Sequence, residues 1–160
     1  MKSKMVLTVL IVLGSASALF AQNTYKEEVD AAQAIFGKDK KELVGALIQM
    51  NPEESAKFWP IYDQYETERK ALGQQRLQLI QDLSDAYANM TADKADAVSA
   101  KSMKLSEQND KLLSKYYGKV KKATSSTIAF EWYQAEVYIL TEIRVHLMSE
   151  IPLYSVVKPK

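Results

Sequence analysis

No proline occurs between Pro60 and Pro152. Across that interval apolar residues recur three and four positions apart, the spacing that places them on one side of a helix with 3.6 residues per turn. This pattern constrains the chain to long helices. Five glycines and four prolines in 160 residues also supply too few turns for an all-β fold. Asn51-Pro52-Glu53-Glu54 opens the longest run. It offers a capping side chain, then proline at the first helical position, then two acids in the positive first turn. Phe58, Tyr62, Tyr65, Leu72, Leu79, Leu83 and Ala86 continue the pattern towards Asn89, with Arg69 and Arg76 at two seam positions. Pro60 lacks a backbone donor and crowds the carbonyl of Ala56, so a kink is expected there.

The other elements follow from the same signals. Thr24–Phe36 places Val29, Ala32 and Phe36 on one face, and Gly37 is a natural stop. Asp39 and Glu42 have capping-box spacing, opening a short helix expected to turn Leu43, Ala46, Leu47 and Met50 inward. Met90-Thr91-Ala92-Asp93 begins a third long-range pattern with Thr91 as cap, along Val98, Ser102, Leu105, Asn109, Leu112, Tyr116 and Val120. Thr124–Thr127 breaks it, and a last helix runs to Glu150, ended by Pro152. The expected fold is all-α: an elongated bundle of antiparallel hairpins with three long helices and two short N-terminal ones.

The N-terminus reads as an address. Lys2 and Lys4 precede nine residues, Met5–Leu13, that are apolar but for Thr8. Small residues follow, with cleavage expected after Ala21 and an alternative after Ala18. Such a stretch is too short to span a bilayer. The organisation is thus a signal peptide at 1–21, one helical domain at 22–152 and a loose tail at 153–160. The leader holds two of the 21 basic residues and none of the 20 acidic ones, which leaves 19 against 20, or −1. This balance predicts no nucleic-acid footprint and no basic membrane patch. With no cysteine, the exported chain carries no lipid anchor and must be stable without disulfides.

Composition also narrows the chemistry. The chain has no cysteine and a single histidine, His146, which excludes thiolate sites and multi-histidine metal sites. Glu142 and Glu150 share a helix face with His146, but a di-iron bundle needs Glu-x-x-His on two helices and residue 143 is Ile143. Packing or interface duty is expected of His146, and neither catalysis nor a cofactor is expected of the chain. Charge runs such as Lys38–Lys41 and Glu66–Lys70, and pairs such as Glu66–Lys70 and Glu107–Lys111, read as solvated helix faces. Asn109 and Ser102 read as register-fixing residues between facing helices. The aromatic cluster Phe58–Tyr62 is expected to lock its helix onto neighbours.

The last helix is unusually apolar, with 15 hydrophobic residues in the 24 from Ile128 to Ile151. A small bundle encloses a central helix poorly, so one face is expected to remain for self-association or for a partner. Candidate binding residues are Arg69, Arg76, Phe130, Trp132 and Tyr133.

Two helix starts carry a resemblance. Met50-Asn51-Pro52-Glu53-Glu54 and Met90-Thr91-Ala92-Asp93-Lys94 resemble the paired Leu-Thr-x-x-Gln motifs of Spy/CpxP-like exported helical proteins. A broader likeness, through Phe58-Trp59-Pro60-Ile61-Tyr62, Gln134-Ala135-Glu136 and Ile151-Pro152-Leu153, is to a group of small secreted bacterial helical proteins of uncharacterised activity. The Spy/CpxP resemblance implies a periplasmic, ATP-independent chaperone or envelope-stress accessory, built as a cradle-shaped dimer. Its partners would be other envelope proteins or a second copy. The alternative is a structural or signalling subunit that binds one partner through its C-terminal helix.

Overall fold

The computed structural model describes residues 39–149 together with Leu153 and Val156. Residues 1–21, expected to be a signal peptide, the Thr24–Phe36 segment and most of the C-terminal tail lie outside the described residues. The fold is all-α. A short helix α1 (Lys40–Leu47) precedes three long, antiparallel-packed helices: α2 (Pro52–Ala86), α3 (Ala92–Ala123) and α4 (Ser126–Ser149). A short 3-10 turn, Tyr87–Asn89, joins α2 to α3. At 35 residues α2 is about 50 Å long. It continues as one helix through Pro60, whose side chain is exposed.

Local chemistry sets the helix starts. Asp39 Oδ1 accepts from Glu42 N at 2.9 Å, capping α1. Asn51 Oδ1 accepts from Glu54 N at 2.9 Å while Glu54 Oε2 accepts from Asn51 N at 3.0 Å, a complete capping box for α2. Thr91 Oγ1 accepts from Lys94 N at 3.3 Å. Ser125 does the same for α4, accepting from Ile128 N at 3.2 Å. Each bond satisfies an N–H that the helix itself leaves without a carbonyl.

The core gathers where α1, α4 and the Asn51–Arg69 half of α2 meet the C-terminal half of α3. Tyr65 is its hub, with its ring edge-on to Tyr116 of α3 at 5.4 Å and to Trp132 of α4 at 5.1 Å. Edge-to-face rings at this separation add to the stability that burial gives. Phe58, Trp59 and Tyr62 form the expected aromatic cluster beneath α1. The Tyr116 hydroxyl donates to Glu68 Oε1 at 2.7 Å, and Lys115 Nζ donates to the same carboxylate. Burial, followed by the Glu68 carboxylate, pushes the Tyr116 hydroxyl up to about 12, so it remains a donor at neutral pH.

Two expected contacts differ. α1 turns Val44 and Ile48 into the core, while Ala46 and Leu47 are exposed and Leu43 and Met50 pack only at the margin. On an eight-residue helix both apolar arcs are short, and docking on Phe58 and Trp59 selects between them. Asn109 does not bridge the seam either: its Nδ2 donates to Leu105 O on its own helix at 2.8 Å.

Candidate functional site

α4 divides into two arcs. Ile128, Ala129, Trp132, Ala135, Glu136, Ile139 and Ile143 are buried. Their three- and four-residue spacing defines the face packed on the rest of the protein. The opposite arc is apolar as well. Phe130, Tyr133, Val137, Tyr138, Val145 and Met148 are all exposed, Phe130 at 52% and Tyr133 at 42%. They too recur at helical spacing, so they form one stripe along the outside of α4. Tyr133 is braced at its edge by Tyr117 of α3, with ring centroids 6.2 Å apart. Three aromatic rings and three aliphatic side chains face outward, with Gln134 and Thr141 exposed among them, and exposed apolar residues gathered on one arc mark a candidate interaction surface.

The candidate residues fall in three places. Phe130 and Tyr133 lie on the outer stripe. Trp132 is at 0% exposure in the core and cannot meet a partner while the protein is folded. Arg69 is at 5% exposure, and Arg76 is half-buried in a groove between α2 and α4. Neither arginine lies on the outer stripe. His146 is exposed beside that stripe, so it is not a core residue.

Beneath the inner arc lies a buried polar network that corrects the reading of two charge runs as solvated. Lys40 of α1 reaches between α2 and α4. Its Nζ lies 2.5 Å from Glu66 Oε1 and 2.6 Å from Glu136 Oε1, and 5.4 Å from the centres of the Tyr62 and Tyr65 rings. Glu136 is at 0% exposure, and Tyr65 OH donates to its Oε1 at 2.7 Å. Arg69 Nε donates to Glu66 Oε1 at 2.8 Å. Arg69 thus pairs with Glu66 one turn away on its own helix. Glu66, expected to face solvent with Lys70, instead holds the two cations Lys40 and Arg69. The Glu107–Lys111 pair does lie in solvent as expected, at 2.6 Å.

Two carboxylates and two cations make this cluster formally neutral, which is what allows charges to be buried. Burial favours the neutral acid at Glu66. The charges of Lys40 and Arg69, with their hydrogen bonds, outweigh it and hold the carboxyl at about 2. Burial and the neighbouring carboxylates raise the Tyr62 and Tyr65 hydroxyls, so Tyr65 stays a donor to Glu136. The arrangement fastens three helices together. Glu66 is engaged by Lys40 and Arg69, and Glu136, closed off from solvent, is engaged through its Oε1 by Lys40 and Tyr65.

The motif pair at Met50 and Met90 occupies opposite ends of the α2–α3 hairpin, and both motifs are helix caps. Among the described residues no cluster of three or more His, Cys, Asp or Glu side chains could hold a metal ion. No helix among them is long and apolar enough to cross a membrane. No family model, no curated protein and no solved structure matches the chain.

Proposed function

We propose that the chain is an exported, periplasmic, ATP-independent binding protein that shields apolar segments of other envelope proteins. The observation that carries this reading is the outer stripe of α4. Phe130, Tyr133, Val137, Tyr138, Val145 and Met148 stay exposed on a helix whose opposite arc is fixed in the core. Such a surface gains free energy by covering any apolar segment, at roughly 25 cal/mol per Å² removed from water. It needs no nucleotide to do so. Glu142, Arg144 and His146 lie among and beside these residues and keep a bound segment hydrated and releasable. The export signal read at 1–21 and the Spy/CpxP-like helix starts support the compartment.

The mature protein is expected to suppress light scattering from an unfolding client at near-stoichiometric ratio. A double replacement, Phe130→Ser with Tyr138→Ser, should abolish most of that protection while leaving the far-UV circular dichroism unchanged. No suppression by the parent across low and high salt overturns the reading.

The concentration of aromatic residues on the stripe favours a second reading, in which it receives one specific partner. Aromatic anchors dominate binding energy at specific interfaces. In that case Phe130→Ala removes a single stoichiometric complex and general client protection is absent.

A further inference from the structure

The near-even charge of the whole chain hides a one-sided distribution on α3. Lys101, Lys104, Lys111, Lys115, Lys119 and Lys122 follow one another at three-, four- and seven-residue steps, so they share one side of the helix. All six are exposed. Lys115 and Lys119 each stand two residues from Tyr117, which turns towards Tyr133 of α4. The lysine row therefore faces away from α4, along the other edge of the seam between α2 and α3. It extends about 30 Å along the helix.

Two adjoining hollows lie in that seam at the foot of the row. Leu79 and Leu105 line one of about 330 Å³, rimmed by Lys101, Lys104, Gln75 and Gln78. Leu72 and Leu112 line the next, of about 310 Å³, rimmed by Lys111 and Lys115. Gln108 borders both, which makes them one trough with an apolar floor. Three of the lysines are neutralised: Lys101 pairs with Asp82, Lys111 with Glu107 and Lys115 with Glu68. Lys104, Lys119 and Lys122 have no ion pair among the described residues, and Lys119 Nζ lies 4.3 Å from the centre of the Tyr116 ring. No acid occurs in α2 between Glu68 and Asp82. The trough is thus left with positive charge beside a leucine floor.

These features select the occupant. A trough between two packed helices accepts the ridge of a third, and an amphipathic helix lays its apolar face into such a groove. The lysines call for carboxylates on its flanks. A phosphate-bearing surface suits the trough less. Leu105 and Leu112 are buried below the exposed lysines, and α3 carries no arginine, the side chain that grips phosphate with two parallel bonds.

We propose that the trough between α2 and α3 binds an acidic amphipathic helix of another protein. Its apolar face rests on Leu72, Leu79, Leu105 and Leu112, and its carboxylates meet Lys104 and Lys119. This surface is separate from the outer stripe of α4 and does not depend on what that stripe binds.

The probe is a labelled synthetic helix of about 18 residues, long enough for about 27 Å of the trough, with leucines on one face and glutamates on its flanks. Fluorescence anisotropy at low salt should give a micromolar dissociation constant with the mature protein. Lys104→Glu with Lys119→Glu should weaken binding at least about tenfold. Both side chains are exposed, and unchanged far-UV circular dichroism verifies the fold. The milder pair Lys104→Gln with Lys119→Gln should weaken binding about threefold, and it serves if the reversed pair is unfolded. A peptide of the same composition in scrambled order should bind at least about tenfold more weakly, because it has no apolar face. Phe130→Ser with Tyr138→Ser should leave the affinity unchanged, so failure here is read separately from failure of the outer stripe. No binding by the parent, equal binding of the scrambled peptide, or indifference to the lysine variants overturns the proposal. Lysine-dependent binding to phosphatidylglycerol vesicles without binding of the acidic helix overturns it in favour of a membrane surface.

Discussion

Replacing Lys40 by methionine tests the polar network most directly. Methionine keeps most of the unbranched stem, so the change removes the charge and the hydrogen bonds with little loss of packing. Arg69 still neutralises Glu66, from 2.8 Å. Glu136 is left at 0% exposure with only the Tyr65 hydroxyl on its Oε1. Its Oε2 already accepts no hydrogen bond among the described residues. Removing one partner from a buried charge pair costs about 3–5 kcal/mol, because the remaining charge has neither water nor counter-ion. For a domain of this size each kcal/mol shifts the melting temperature by roughly 3–5 °C, so Lys40→Met should melt about 10–20 °C below the parent. Thermal unfolding followed by circular dichroism reads this shift. Adding Glu136→Gln to Lys40→Met removes the stranded charge and should recover at least half of the loss. A drop of under about 2 °C in the single variant, or no recovery in the double variant, refutes the idea that Glu136 is a buried charge held by Lys40.

The two faces of α4 should respond differently to truncation. Trp132→Ala, in the core, is expected to cost about 3–5 kcal/mol in urea unfolding, while Phe130→Ala on the outer stripe should stay within about 0.5 kcal/mol. Because the folded-state pKa of Glu66 lies below its ordinary value of 4.5, at about 2, its ionisation stabilises the protein fully above about pH 4.5. That contribution is lost as the pH falls towards 2, and Glu66→Gln should flatten this part of the stability–pH curve. Gly118 lies inside α3, and a Cβ there would meet nothing within 4 Å, so Gly118→Ala should stabilise by about 1 kcal/mol, read as a higher urea midpoint.

What could be read from the sequence was what depends on neighbours along the chain. Asp39, Asn51 and Thr91 cap their helices because a capping side chain and its amide lie three residues apart. The seam Leu105, Leu112, Tyr116 and Val120 followed from helical spacing, because those positions share one side of α3 whatever they pack against. The polar network was not legible in this way. Lys40 meets Glu66 across 26 residues and Glu136 across 96, and each stands in a stretch that has the composition of a solvated face. One signal was present at Glu136, which lies in helical register with Trp132, Ile139 and Ile143. An acid among those positions must either be exposed or find a cation, and no basic residue of α4 lies within a turn of it. Trp132 and Phe130, two residues apart on one helix, could not both face a partner. Composition alone could not say which arc of so apolar a helix would be covered.

The network also bears on the surface it lies beneath. Between Gln74 and Lys104 only Leu77 is buried, so the far part of the α2–α3 hairpin is held along one narrow seam. The near part is different: α1, α2, α3 and α4 converge there, and α4 is apolar on both arcs. Apolar packing alone discriminates weakly between two rotations of such a helix, because either arc could fill the core. Glu136 removes that degeneracy. It can be buried only where Lys40 and Tyr65 meet it, and a rotation that brought Phe130 and Val137 inward would carry Glu136 away from both. A single buried ion pair thus decides which aromatic residues of α4 stay outside. Loss of Lys40 should therefore weaken the client binding proposed for the outer stripe as well as stability, although no residue of the stripe has been changed.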